Sequence, residues 1–277
     1  MISPIRDSSI KLVSCSRALS KSGLNDVDYA LNPYYGCAHG CLYCYAPDVT
    51  RCRRGMEWGG WVEAKTDISR RLRKEIGGIG KSVIGLATVT DPYQPAEEQL
   101  GLTRACLEII SESDASLMLM TKSPLILRDI GLIEKTEKAE VCVTVTTLDD
   151  GIASLFENKV AGPEKRLKIL KSMSERGIST DAMVSPLLLS EGDPQDQIEE
   201  IIEAIKATGC KSITFDKLRL RDTGRARLTR QYSGTAFENE VNGIVGRSEN
   251  IDLEALIQSI MKNNKHSEMK IHAPMLF

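Results

Sequence analysis

Asn32-Pro33-Tyr34-Tyr35-Gly36-Cys37-Ala38-His39-Gly40-Cys41-Leu42-Tyr43-Cys44-Tyr45-Ala46-Pro47 holds three cysteines with three and then two residues between them, a C-x3-C-x2-C spacing. Three thiolates this close in sequence can wrap one face of a cubane iron–sulfur cluster and leave one iron without a protein ligand, whereas four-cysteine sites give every iron one. Gly36 and Gly40 let the backbone turn tightly beside Cys37 and Cys41, and Pro33 and Pro47 keep regular structure from running through the loop. The loop reads as one built to wrap a group.

Three other readings use the same residues. Zinc would recruit Cys37, His39, Cys41 and Cys44, but structural zinc draws on two separated ligand pairs and no second pair appears elsewhere. A dithiol redox pair of Cys41 and Cys44 would leave Cys37 unexplained and lacks a following helix pattern. A cluster that only carries electrons or senses, without catalysis, is the alternative from a different functional class.

The C-x3-C-x2-C run with Tyr43 immediately before Cys44 resembles the radical S-adenosylmethionine (SAM) superfamily. Together with the later Thr90-Asp91-Pro92-Tyr93-Gln94-Pro95-Ala96-Glu97, the wording is similar to its spore photoproduct lyase-like, or DNA repair photolyase-like, group. The resemblance implies a [4Fe-4S] cluster on Cys37, Cys41 and Cys44 whose open iron binds SAM. Reductive cleavage to a 5′-deoxyadenosyl radical and hydrogen abstraction from an unidentified substrate, a nucleic acid or a protein, would follow. It also implies an external electron donor of the flavodoxin or ferredoxin kind.

The chain has 277 residues, enough for one large α/β domain, and its formal net charge of −2 gives no global electrostatic case for nucleic acid. No apolar run approaches a membrane span or takes signal-peptide form, and eight cysteines in a chain this long imply a reducing compartment rather than a disulfide framework. A cytoplasmic protein is expected.

Outward from the loop, strand and helix patterns alternate. Strands are expected at 29–32, 82–87, 117–120, 141–147, 181–184 and 212–215, and helices at 66–76, 97–113, after Pro124, and at 167–177, 198–209 and 251–261. Such alternation specifies a parallel sheet covered by helices. Six repeats resemble the partial (β/α)6 TIM-type barrel of radical SAM enzymes, with short terminal extensions. The expected organisation is an N-terminal arm over 1–28, the barrel over 29–220 and a C-terminal extension over 221–277. Arg51-Cys52-Arg53-Arg54 with Trp58-Gly59-Gly60-Trp61 reads chiefly as a solvated turn whose tryptophans cover the cluster loop. Residues 217–222 alternate like a strand, and 217–230 is the most basic part of the chain, a candidate contact for nucleic acid.

SAM presents an adenine, a ribose, a carboxylate and a sulfonium, and the strand ends offer partners. By resemblance, Thr88 and Lys122 hold its carboxylate end, Thr144 or Thr146 contacts the ribose and Tyr43 covers the adenine, with Thr90 beside them; Lys122 opposite a carboxylate also makes simple electrostatic sense. One departure stands out. Spore photoproduct lyase has a hydrogen-donating cysteine near the end of the second strand, where this chain has Ala87.

Overall fold

The computed structural model describes residues 9–50, 56–157, 159–262 and 268–272, and the chain divides into two compact units between Ala139 and Glu140. The first unit opens with strands β1 (Ser9–Val13), β2 (Leu19–Lys21), β3 (Tyr29–Leu31) and β4 (Tyr34–Tyr35), followed by the short helix α1 (Ala46–Val49) and β5 (Trp61–Lys65). Helix α2 (Ile68–Glu75) runs into a 3-10 turn, Ile76–Gly78. Then come β6 (Val83–Leu86), α3 (Pro95–Leu100), α4 (Leu102–Ile110), β7 (Ser116–Thr121), a 3-10 segment Pro124–Asp129 and α5 (Ile130–Lys135). Parallel pairing joins β3 to β6 and β6 to β7, and β2 runs antiparallel on the outer edge of β3. A separate three-stranded sheet sets β5 between β1, parallel to it, and β4, antiparallel.

The second unit holds β8 (Ala139–Thr144, its first residue at the boundary), α6 (Asp150–Phe156), α7 (Pro163–Glu175), β9 (Ser179–Leu187) and α8 (Pro194–Lys206). It continues with β10 (Ser212–Lys217), α9 (Asp222–Tyr232), α10 (Glu238–Asn250), α11 (Leu253–Lys262) and β11 (Lys270–His272). Strands β8, β9, β10 and β11 pair in that order, all parallel. The six β/α repeats anticipated from the sequence are therefore present, three in each unit. Their helices turn apolar stripes inward: Ile198, Ile201, Ile202 and Ile205 of α8 are each at most 3% exposed. Burying each such side chain stabilises the fold by about 1.5–3 kcal/mol.

Several elements differ from their expected form, for local reasons. The single helix expected over 97–113 is two, because Gly101 takes φ +61° and ends α3 with a left-handed cap before α4 begins. Pro124 opens a 3-10 segment before α5, rather than an α-helix directly. Residues 218–222 form no strand. There the Leu218 N–H donates to the Ser248 carbonyl (3.1 Å) and the Leu220 N–H to the Glu249 carboxylate (3.0 Å), so helix α10 takes the donors a ladder would need. The tryptophan stretch, expected as a turn, leads at Trp61 into β5, and Trp58 and Trp61 pack against the cysteine loop as expected. The basic run Arg51 to Arg54, with Cys52, lies outside the described residues.

Candidate cluster and cofactor site

The cysteine loop is fixed at its two feet. Strand β4 ends one residue before Gly36, and its antiparallel pairing with β5 sets Tyr34 opposite Ala64 and Tyr35 opposite Glu63. Between the feet, Cys37, Ala46, Trp58 and Trp61 form a buried cluster, with Tyr35, Cys44 and Val89 packed on it. The Tyr35 and Trp61 rings lie 5.1 Å apart, and Trp58 meets Trp61 edge-on at 6.3 Å. Two glycines make this closeness possible. A Cβ on Gly36 (φ +81°) would stand 2.6 Å from the Trp61 carbonyl, and one on Gly40 (φ +60°) 2.9 Å from the Cα of Gly59.

Residues 88–97 clamp the loop from behind. The Asn32 side-chain oxygen accepts from the N–H groups of Thr88 (3.0 Å) and Val89 (3.3 Å), and the Tyr45 hydroxyl donates to the Thr88 carbonyl (2.7 Å). Thr90 Oγ1 donates to the Gly36 carbonyl (2.6 Å) and accepts from Gln94 Nε2 (2.9 Å). Fully buried Gln94 also accepts from the Ala38 N–H at 2.8 Å, so it grips the loop on both sides of Cys37. Glu97, likewise fully buried, accepts from the Tyr34 hydroxyl (2.5 Å), the Thr103 N–H (2.8 Å) and Arg128 Nη2 (2.7 Å).

Asp91 joins this clamp to the end of β7. Its Oδ1 accepts from the Tyr93 N–H (2.9 Å) and the Thr121 hydroxyl (2.7 Å); its Oδ2 accepts from the Lys122 N–H (2.9 Å) and faces His39 Nδ1 at 3.4 Å. Burial alone would raise the Asp91 pKa, but the neighbouring His39 charge, assisted by these donors, holds it at about 2. Burial would lower His39, yet the Asp91 and Cys37 charges lift it to about 10. Burial would likewise raise the Cys37 thiol, and His39 outweighs that and leaves it below its ordinary value.

Lys122 and Tyr43 come together, with the ammonium 5.8 Å from the ring centroid. Thr88, Thr90, Lys122, Tyr43 and the three cysteines thus share the first unit. Thr144 and Thr146 belong to the second. There the Thr144 carbonyl accepts from Arg166 Nη1 (3.3 Å), and Thr146, fully buried, donates to Glu157 (3.2 Å), itself ion-paired to Arg166 at 2.5 Å. In the basic segment Arg219 is ion-paired to Asp216 and Arg225 to Glu249. Sequence reasoning missed Asn32, Asp91, Gln94 and Glu97 as loop-holding residues. The Thr90 to Glu97 wording was the available signal, but its polar residues find partners too distant in sequence to be named from spacing.

The donor set fits a cubane cluster. Cys37 and Cys41 are buried and Cys44 half-buried on one loop, and the Asp91 backbone N–H bonds the Cys37 sulfur. Among the described residues no three Cys, His, Asp or Glu side chains close on a point as a single metal ion requires. A cubane asks for a wider arrangement, because each thiolate takes a different iron.

Comparison with known proteins places the chain in a family. The model of the Radical SAM superfamily matches residues 31–215. An uncharacterized protein of Methanocaldococcus jannaschii is 31% identical over 177 residues, 64% of this chain and 66% of that one. An uncharacterized protein of Mycobacterium tuberculosis is 28% identical over 229 residues, 77% of this chain and 67% of that one. The chain thus spans about two thirds of the length of these relatives. Among solved structures, spore photoproduct lyase complexed with dinucleoside spore photoproduct superposes with a TM-score of 0.63 at 16% identity, over 82% of this chain and 67% of that one. Streptococcus suis SuiB bound to S-adenosylmethionine does so with a TM-score of 0.56 at 12% identity, over 98% and 51%. These likenesses carry the partial-barrel fold anticipated from the sequence. The chain belongs to the radical SAM superfamily, a group of enzymes that work with an external reductant, and its cofactors are a [4Fe-4S] cluster and S-adenosylmethionine.

Proposed function

We propose that Cys37, Cys41 and Cys44 hold the cluster at the mouth of the first unit, and that SAM lies between it and the end of β7. When bound and reduced, the cluster supplies the electron that splits SAM into methionine and a 5′-deoxyadenosyl radical, which takes hydrogen from the substrate. The protein's part is to bind and orient. Lys122 offers its ammonium to the SAM carboxylate, Thr88 adds a hydroxyl beside it, and Tyr43 covers the adenine. Thr90 holds the Gly36 carbonyl and so keeps the loop in shape. For the ribose the resemblance offers Thr144 or Thr146, and of these the Thr146 hydroxyl is given to Glu157. The observation that carries the reading is the meeting of Lys122 with Tyr43, one residue from Cys44.

The radical SAM region is taken as 29–220, with the arm 1–28 and the extension 221–277 on either side. The donor is a flavodoxin- or ferredoxin-like protein, and a reducing cytoplasm suits both the thiolates and the cluster. For the substrate we favour a nucleic acid, on the fold shared with a lyase solved with a dinucleoside photoproduct and on exposed Arg221 and Arg230 in the basic segment. The reaction differs from that lyase's own, because buried Ala87 cannot return a hydrogen atom as a cysteine does.

The test is anaerobic reconstitution with iron and sulfide, reduction, addition of SAM and mass spectrometry for 5′-deoxyadenosine. The Cys41→Ala variant should lack both cluster and product. Protein with a full cluster, no 5′-deoxyadenosine and no SAM-dependent change in its EPR signal would overturn the reading in favour of an electron carrier or sensor. Titrations with DNA and with RNA that both show no binding at low salt would remove the nucleic-acid substrate while leaving SAM cleavage standing.

A further inference from the structure

Asp91 connects three stretches of chain that are remote in sequence. One partner, the Tyr93 N–H, is local and closes an ordinary Asx turn. The others are not: the Thr121 hydroxyl and the Lys122 N–H lie 30 and 31 residues ahead, and His39 lies in the cysteine loop two residues after Cys37. Local turn formation therefore does not account for the site. Asp91 is only 9% exposed, so these protein groups take the place of water for a charged carboxylate.

The sharing of oxygens matters. Oδ2 meets both the Lys122 backbone N–H and the His39 ring, one partner carrying the side chain that reaches Tyr43 and the other lying on the loop that carries the cysteines. A movement of either is felt by the other through one carboxylate group.

We propose that Asp91 is a positioning residue that sets the placement of the Lys122 ammonium relative to the cysteine loop, so that the SAM carboxylate and the cluster are held in register through it. The inference rests on the function proposed above. Asp91 touches neither SAM nor the cluster through its side chain in this account; it acts through Lys122 and His39. Replacement by Asn keeps the shape but turns one oxygen into a donor, which then faces Thr121 and Tyr93 or Lys122 and His39, all of them donors in the present arrangement. Thr121→Val removes one tie to Oδ1 while keeping size, and Thr121→Ser restores the hydroxyl.

The experiment uses full-length protein, reconstituted anaerobically, with iron content, SAM affinity and the SAM-induced change in the EPR signal of the reduced cluster measured for wild type, Asp91→Asn, Thr121→Val and Thr121→Ser. The expected result is iron content near wild type throughout, SAM affinity about tenfold weaker in Asp91→Asn and several-fold weaker in Thr121→Val, and Thr121→Ser close to wild type, with an altered EPR change in the first two. Wild-type affinity and EPR response in Asp91→Asn would overturn the proposal. Should Asp91→Asn fail to hold a cluster, Thr121→Val decides: weakened SAM binding rescued by Ser supports the tie, and unchanged binding overturns it. A wild-type protein with a full cluster and no response to SAM would overturn the functional reading itself, and this inference with it.

Discussion

Lys122 brings a positive charge to the end of β7, beside a ring that belongs to the cysteine loop. Replacing it with Ala should weaken SAM binding about tenfold or more and leave the iron content unchanged; unaltered affinity by titration would strike Lys122 from the site. A different outcome is expected at Arg166, which is buried with Glu157 and also bonds the Ala161 and Thr144 carbonyls. Arg166→Met leaves a buried carboxylate without its cation, at a cost of about 3–5 kcal/mol, read as a lowered urea midpoint of unfolding. The two residues show how far single positions can be read from sequence. The cysteines were legible because their partners are one another, a few residues apart. Thr144 or Thr146 was expected at the ribose by resemblance; the Thr146 hydroxyl goes to Glu157, the residue after helix α6, and no spacing rule announces that bond. Asp91 and Gln94 escaped for the same reason: their partners lie tens of residues away.

At the scale of elements, the cysteine loop depends on a backbone approach that admits no side chain. Gly40→Ala should lower both thermal stability and the iron taken up on reconstitution, because the new Cβ would press on the Gly59 backbone at a left-handed φ. Gly77→Ala, where nothing lies within 4 Å, is the control and should leave both unchanged or slightly raised. The neighbouring strand–helix corner is tied by Asp67, which accepts from the Cys15 N–H (2.8 Å) and sits beside Arg70 and Arg71. The Cys15 donor, with Arg71, holds the Asp67 pKa at about 2. Because the folded value is depressed, its stabilisation is present above the ordinary carboxylate range and is lost as pH falls from about 4 toward 2. The urea midpoint of cluster-free wild type should therefore exceed that of Asp67→Asn at pH 6, and the gap should close by pH 2; a gap independent of pH would remove Asp67 from this role. Strands and helices with strong periodicity were readable from β3 to β10 and again at α11, whereas α6, α9 and α10 were not. What sequence could not give was β1 and its pairing with β5, since a short, exposed edge strand has no pattern of its own until its neighbour is known.

For the molecule as a whole, a net charge of −2 leaves attraction to nucleic acid to a local patch, and that patch is partly neutralised by Asp216 and Glu249. Any DNA binding should consequently be weak, with a shallow salt dependence set by a few phosphate contacts, and Arg221→Ala should flatten the slope of log affinity against log salt by about one. Affinity that does not change with salt would place the contact elsewhere. The β4–β5 ladder that closes the cysteine loop has a further consequence. Its hydrogen bonds, and those of Gln94 and Thr90, run from protein to protein and involve no metal. The frame around the cluster is thus assembled from the chain's own bonds, and oxygen that destroys the iron attacks a replaceable part. Protein stripped of its cluster by oxidation should keep its far-ultraviolet circular dichroism and accept iron and sulfide again, so that an enzyme disabled by air is a candidate for repair rather than for degradation.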